Sequence, residues 1–576
     1  MNFLLRFGEF ELDTSSHTLR RRGQAVPLPP KAVDALEILF SEPGRVFSRP
    51  ELIEALWPGR VIEEQGLTQL VYLLRRALGK RPGGTHWIAT LPKRGYRFDG
   101  EVRRLARMPL ARPADGRTRS VAVWPIEELA GVEPGSGFAF ADAVAAVLAR
   151  RPELVVRPLA AMSGVLSEPL DPRDGMSRAG VEMLVEGSIR LVDSRLCVTI
   201  RLWTAGHDRS VWSHEIEGSV DALADIEDAA CEALLGKLGL TPAGSGAAVS
   251  RAHRTLDPAV RAHVLRSRHL WNLWTPSAWR SSITEARAAL ALDPGHAEAR
   301  CWWAMSLTGL AITGQEPADE TFRFARILLH EAGRIDPDLD RVWEGLAAVA
   351  LFHDWDPATA MDHLRRSITF HPGNAAARDL YALALAASGD LDQAIVEMDA
   401  AHEIDFLLPI TATDAAWLRY FARHYDAAEA GLRGVLAIHP HFAHARLYLG
   451  IVLARQGRGV ESELEILRGL GDCGRAPETS SELALALVVQ GRNEAAERIF
   501  AALVHKGGRE HVDPCEPMSV CLALNRLDEA MDWLERARRT RSRPVIYILV
   551  DPLFDPLRER QDFQDLVRRV FPHRLG

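Results

Sequence analysis

Cysteine is scarce in this chain of 576 residues: six thiols, Cys197, Cys231, Cys301, Cys473, Cys515 and Cys521, with no CxxC pair. Such scattered cysteines read as buried or free thiols of a reducing compartment and exclude a disulfide framework. Long apolar runs are missing too. The longest stretch without charge, Cys301–Gln315, has 15 residues broken by Thr, Ser and Gly, whereas a spanning helix needs about 18. The N-terminus, MNFLLRFGEFELD, turns acidic too early for a signal peptide. These absences predict a soluble cytoplasmic protein with no membrane partner.

Catalytic signatures are also absent. No GxxxxGK[ST] occurs. Gly135-Ser136-Gly137 lacks the third glycine of a dinucleotide loop, and His330-Glu331 lacks the second histidine of a zincin. Gly187-Ser188 has β-type flanks on both sides, unlike a nucleophile elbow. His439, His441 and His444 are spaced closely enough for a metal, but they fall at an inter-repeat turn without a Cys or acidic neighbour in sequence. A partly exposed junction is their expected role. The chain therefore reads as a non-enzyme without cofactor or metal.

What is present is ordinary globular material with a divided charge. Apolar residues make up 47% and charged residues 25%, which excludes a disordered or fibrous chain. The length corresponds to several domains. Residues 1–107 hold 18 basic and 12 acidic side chains, a net +6, while the remaining 469 hold 51 and 65, a net −14. A basic end on an acidic body predicts one polyanion-binding unit. Two linker-like stretches, Leu105–Ser120 and Leu240–Ser250, are rich in Gly, Pro and small residues. The expected division is 1–104, a linker 105–117, 118–240, a linker 241–255, and 256–576.

The third part repeats. Small residues recur every 34 positions at Ala360, Ala394, Ala428, Ser462, Ala496 and Ala530, and a second column holds Ala348, Ala382, Ala416, Gly450 and Ala484. Gly389, Gly457 and Gly491 form a third column between them. The pattern predicts helix pairs whose small residues let two helices approach, with Pro294, Pro337, Pro372 and Pro440 where second helices stop. It resembles the tetratricopeptide repeat over roughly 256–540, which implies an all-α solenoid of seven or eight units. The amphipathic tail Val550–Phe571 is expected to cap it. Trp271, Trp274, Trp279, Trp302 and Trp303 read mainly as core, with a peptide or ligand groove as the alternative. The repeat groove itself offers a surface for an unidentified protein or peptide.

In the middle part, Val121–Ile126 and Leu154–Leu159 read as buried strands flanking a helix, Phe138–Arg151. Met183–Gly218 alternates like strands joined at Asp193–Ser194 and Gly206–His207, and a helix Asp221–Leu238 follows. The order resembles the TolB-like α/β module, which implies a fold and a protein-contact role.

Residues 1–104 open with strand signals at Leu4–Leu12 and Thr18–Leu28. An amphipathic helix follows, Pro30–Phe40, with Val33, Leu36, Leu39 and Phe40 on one face. Ser48-Arg-Pro-Glu51 is a capping box opening a second helix. A third helix runs from Glu64 to Leu78 with Leu67, Leu70, Val71 and Leu74 inward, and Trp87–Phe98 reads as a hairpin turning at Pro92–Gly95. Three helices and a basic hairpin make an α+β winged helix-turn-helix. The blocks F-G-x-F-E-L-D, L-x-P-K-A-x-x-x-L, R-x-x-L-x-x-x-L-W-P and T-L-P-K-R-G-Y-R-F occur in that order. Together they resemble the OmpR/PhoB-type DNA-binding domain in its CadC-like, N-terminal form.

That resemblance implies double-stranded promoter DNA as partner and the third helix in the major groove. Thr68, Gln69, Tyr72, Arg75 and Arg76 would then face base edges. Lys80, Lys93, Arg94 and Arg97 would hold phosphates or reach the minor groove. Tyr96 stands between packing under the wing and touching the backbone. Arg75 stands between DNA and an ion pair with Glu51 or Glu54. The resemblance also implies RNA polymerase contact at Pro58–Glu63 and a homodimer on DNA. The expected function is a sequence-specific transcriptional regulator whose repeats sense or bind partners. The alternative is an assembly scaffold in which the winged helix is a secondary nucleic-acid or protein contact.

Overall fold

A computed structural model of the chain describes residues 3–8, 10–13, 18–21, 24–26, 28–57, 64–81, 84–92, 94–100, 102–106, 119–129, 131–132, 136–149, 151, 153–157, 172, 176, 181–193, 195–205, 207, 209–219, 223–240, 257–371, 373–405 and 408–571. They fall in two compact units, 1–109 and 110–576.

In the first unit, four strands form a meander: β1 (Phe3–Phe7), β2 (Phe10–Asp13), β3 (Thr18–Arg21) and β4 (Gln24–Val26). Leu5, Phe7, Phe10, Leu12 and Leu19 are buried, the period-two face that a half-covered sheet requires. Helix α1 (Pro30–Ser41) begins with proline in its first turn. The two-residue strand β5 (Val46–Phe47), which no periodicity announces, precedes α2 (Arg49–Leu56). The capping box is formed: the Glu51 N–H donates to Ser48 Oγ and the Ser48 N–H to Glu51 Oε2, each at 3.3 Å. After α3 (Glu64–Leu78) come β6 (Ile88–Leu91), β7 (Gly95–Phe98) and β8 (Arg103–Ala106). The sheets are ordered β4-β3-β2-β1-β8 and β5-β7-β6.

The recurring aromatics of the N-terminal blocks are the core. Ring centroids of Phe7 and Phe40 lie 4.8 Å apart, those of Phe40 and Phe98 4.7 Å, and those of Trp87 and Phe98 5.8 Å. These side chains hold the scaffold, and the outer face of α3 is left exposed.

The second unit begins with a mixed sheet. Strands β9 (Arg119–Val123), β10 (Glu127–Glu128), β11 (Leu154–Arg157), β12 (Met183–Val192), β13 (Arg195–Thr204) and β14 (Trp212–Ser219) run in the order β11-β9-β12-β13-β14, with β10 beside β12. The β9–β11 and β9–β12 pairs are parallel and the last three strands antiparallel. Helices α4 (Ser136–Ala149) and α5 (Leu223–Lys237) pack on it. The sheet-rich α/β character expected of this region is present.

Eight helix pairs follow among the described residues, from Pro258–Trp271 with Pro276–Leu292 to Cys515–Ala523 with Leu527–Arg539. The first small-residue column, Ala360 to Ala530, is entirely buried at 0% exposure. In the second, a Cβ on Gly450 would lie 2.3 Å from Ile466 Cγ1. Only glycine lets those helices approach so closely. First helices end on residues in left-handed backbone at the same spacing: Trp355, Gly389, Arg423, Gly457, Gly491 and Asn525, with φ between 58° and 82°. Pro294, Pro337 and Pro440 stand two residues beyond second-helix ends.

The C-terminal tail does more than cap. Helix Gln561–Val570 lies on the last pair, tied by Arg560–Asp528 at 2.9 Å and Arg569–Glu535 at 3.3 Å. Before it, residues 543–557 run along the inner surface made by the first helices. The Arg543 guanidinium lies 5.4 Å from the Phe352 ring centroid, the Tyr547 ring 5.1 Å from Phe421, and Asp555 takes Arg423 at 2.6 Å. Trp274 of the first pair reaches His444 of the sixth, 5.8 Å between rings. The repeat groove, expected as an interaction surface, is occupied by the chain itself along this stretch. Val545, Ile546, Tyr547, Ile548, Phe554 and Leu557 are at most 3% exposed. At roughly 1.5–3 kcal/mol per buried side chain, this segment belongs to the core.

Candidate nucleic-acid interface

Helix α3 is 15 residues long, about 22 Å at 1.5 Å per residue. Leu67, Leu70, Val71, Leu74 and Leu78 are buried against α1, α2 and the wing. The 3.6-residue period therefore turns Thr68, Gln69, Tyr72 and Arg76 outward, and all four are exposed, Tyr72 at 63%. A hydroxyl, a primary amide, a phenol and a guanidinium on one exposed helical stripe can donate to and accept from base edges or phosphates.

Arg75, one position from Arg76, faces elsewhere. Its Nε and Nη2 donate to the Ile88 carbonyl at 3.0 and 2.7 Å, and Nη2 donates to Thr90 Oγ1 at 2.7 Å. It ties α3 to the first wing strand. The ion pair expected with Glu51 or Glu54 is not formed by Arg75; Glu51 takes Arg45 at 2.6 Å. The phase of the helix decides this, because position 75 lies over β6.

The wing is the β6–β7 hairpin, in register Ile88↔Phe98 and Leu91↔Gly95. At its turn the Arg94 N–H donates to the Leu91 carbonyl at 3.0 Å and leaves the Arg94 side chain exposed. Gly95 has φ +132°, and a Cβ there would sit 1.9 Å from the Phe47 carbonyl oxygen. The glycine lets the wing pass beside β5. Tyr96 is 3% exposed, opposite Phe47 in the strand register and with the Arg49 guanidinium 5.9 Å from its ring centroid. Its ring is packed beneath the wing, the first of its two expected roles. Arg97 is 37% exposed and pairs with Asp99 at 2.5 Å. That hydrogen bond and charge raise its pKa further and hold it as a cation. Lys80 is exposed at the end of α3, and its backbone pairs antiparallel with that of His86. His86 and Thr90 join the exposed surface between helix and wing, and their single polar positions in turn and strand carry no periodic signal. Lys93 and the segment 58–63 lie outside the described residues.

The structure thus brings Thr68, Gln69, Tyr72 and Arg76 onto one face, and places Arg94 at the tip of a wing that Arg75 anchors to that helix. Residues 23–98 match the family described as "Transcriptional regulatory protein, C terminal". The first unit carries an OmpR/PhoB-type DNA-binding domain. The chain is 40% identical over 79 residues to the phosphate regulon transcriptional regulatory protein PhoB of Rhizobium meliloti, covering 14% of this chain and 35% of that one. It is 33% identical over 96 residues to the transcriptional activator CadC of Escherichia coli, covering 16% and 19%. The chain therefore spans about a third or less of the length of these curated relatives. The helical region is similar to a thermophilic TPR protein of Thermus thermophilus at 17% identity and a TM-score of 0.29, covering 34% of this chain and 98% of that one.

Outside the first unit, two of the clustered histidines separate. His444 faces inward against Tyr448, 4.5 Å between rings, and burial pushes its pKa down to about 3, while His441 is 85% exposed and pairs with Asp472. Trp271, Trp274 and Trp279 pack on one another at 5.6–5.8 Å, and Trp279 and Trp302 are 1% exposed. Among the described residues no helix is long and apolar enough to cross a membrane.

Proposed function

We propose that the protein is a sequence-specific transcriptional regulator acting on promoter DNA in the cytoplasm. The observation that carries this reading is the outward stripe of α3, Thr68, Gln69, Tyr72 and Arg76, backed by a buried apolar face and flanked by an OmpR/PhoB-type wing. Gln69 suits bidentate recognition of adenine and Arg76 that of guanine. Arg94 at the wing tip and Lys80 at the helix end suit phosphates, and Lys93 joins them by its place in the sequence. Arg75 and Tyr96 position the wing. RNA polymerase contact through 58–63 and dimerisation on DNA extend the same reading, and the second unit takes the input signal.

Selection of bound duplexes from a random pool with the full chain, at two salt concentrations, tests it. A recovered motif whose affinity falls steeply with salt is expected, and its half-site spacing reports the stoichiometry. Recovery of no motif, with only weak salt-sensitive binding, would instead favour the scaffold reading.

A further inference from the structure

The first helices of pairs five to eight, Pro409–Phe421, Ala443–Arg455, Ser481–Val489 and Cys515–Ala523, meet the inward segment around a cavity of about 110 Å³. Trp417, Ile451, Leu485 and Leu522 give it apolar walls. Its size approaches the roughly 150 Å³ cavity that holds a benzene ring, so it suits about six non-hydrogen atoms.

Charge distinguishes this cavity from a packing defect. Glu482 lines it but is paired with Arg475 at 2.9 and 3.3 Å, a guanidinium that also meets Glu516 at 3.4 Å. Arg455 and Asp551 line it too, and among the described residues no ion pair joins them. The Arg455 Nε is buried without a hydrogen-bond partner, while the rest of that guanidinium touches the Tyr420 hydroxyl. Asp551 is 7% exposed and accepts the Leu553 N–H at 2.8 Å. Asp551 is buried and Arg455 partly so; each feels the other's charge across the cavity, but among the described residues no direct ion pair satisfies either group. A lone anion in the cavity would face Asp551, and a lone cation would face Arg455. A molecule carrying both charges gives each group its missing partner.

We propose that this pocket on the inner surface of the repeat region binds a small zwitterion of the amino-acid class, its carboxylate on Arg455, its ammonium on Asp551 and a short apolar side chain against Leu485 and Leu522. The proposal rests on the reading that the second unit takes the input, and it names the chemistry of that input. The inward segment supplies one wall of the pocket through Asp551, Leu553 and Pro556.

Titration calorimetry of the full chain with L-alanine tests it, with propionate and ethylamine as probes lacking one charge each. L-alanine should bind at least about tenfold more tightly than either, because each analogue loses a charge-assisted hydrogen bond. Arg455→Met should abolish the preference over ethylamine. Asp551→Asn keeps an acceptor for the Leu553 N–H and should abolish the preference over propionate. Loosening of the fold would weaken all three probes alike and leave those preferences in place. No binding of L-alanine to the folded wild-type chain, or equal binding of the three probes, overturns the site. Operator affinity with and without L-alanine separates the two readings. Alanine binding with unchanged operator affinity upholds the site and removes only the input role, whereas operator binding without any alanine binding removes the site and leaves the regulator.

Discussion

Adjacent arginines on α3 should fail in opposite ways. Arg75 spends three hydrogen bonds on the Ile88 carbonyl and Thr90. Bonds from charged donors contribute about 1.5–3 kcal/mol each when well formed. Arg75 is only half-buried, so solvent screens them, and about 2 kcal/mol for the group is a working figure. Arg75→Met should therefore accelerate amide hydrogen exchange along β6 and β7 by roughly 30-fold, the equivalent of that free energy in local opening. Arg76 is exposed on the outer stripe, and Arg76→Ala should leave wing exchange unchanged while weakening operator binding by about 1–3 kcal/mol. The assay is hydrogen exchange on the free full chain alongside fluorescence anisotropy with a selected duplex at two salt concentrations. If Arg75→Met loses operator affinity with β6 protection intact, or Arg76→Ala loosens the wing, the assignment of the two side chains is wrong.

Arg94→Ala should weaken binding to all duplexes alike and reduce the salt slope by about one unit; an unchanged slope removes the wing from the interface. Gly95→Ala should destabilise the first unit by at least about 2 kcal/mol in chemical denaturation, since the new Cβ meets the Phe47 carbonyl in a backbone conformation hostile to side chains. Gly450→Ala should cost about 1–3 kcal/mol through overpacking on Ile466, and the double variant with Ile466→Ala should cost less than the sum of the two single variants, because the clashing Cγ1 and Cδ1 are gone. Burial raises the Asp414 carboxyl to about 7, well above its unfolded value of 3.8, against the opposing charge of Arg543. The folded state then holds the proton more tightly. Its contribution is greatest below pH about 4, is lost as pH rises to about 7, and is flat above that. Thermal unfolding of the full chain should show this decline, and Asp414→Asn should reduce its slope.

Local order was legible in the residues because it follows from short-range geometry. The period of Leu67, Leu70, Val71 and Leu74 fixes which face of α3 is buried, and hence that Thr68, Gln69, Tyr72 and Arg76 point away. Ser48 and Glu51 start α2 by a contact three residues long. The 34-residue columns locate the helix pairs, because each small residue marks where one helix must touch the next. Strand β5 escaped notice, since two residues carry no period and Phe47 is a strand residue only because Tyr96 lies beside it.

Tertiary structure decided the rest. Whether Arg75 meets DNA, Glu51 or the wing depends on what the hairpin brings to within 3 Å of its guanidinium. Tyr96 is buried because Phe47 and Arg49 arrive from another element. In the repeats, the sequence determined the helix pairs and their spacing, but it carries no mark of how far their stacking curves. That curvature, summed over many pairs, brings Trp274 to His444 and residues 543–557 into the groove. A surface readable as an interaction face from any single repeat is occupied by the chain itself because small rotations between neighbours accumulate.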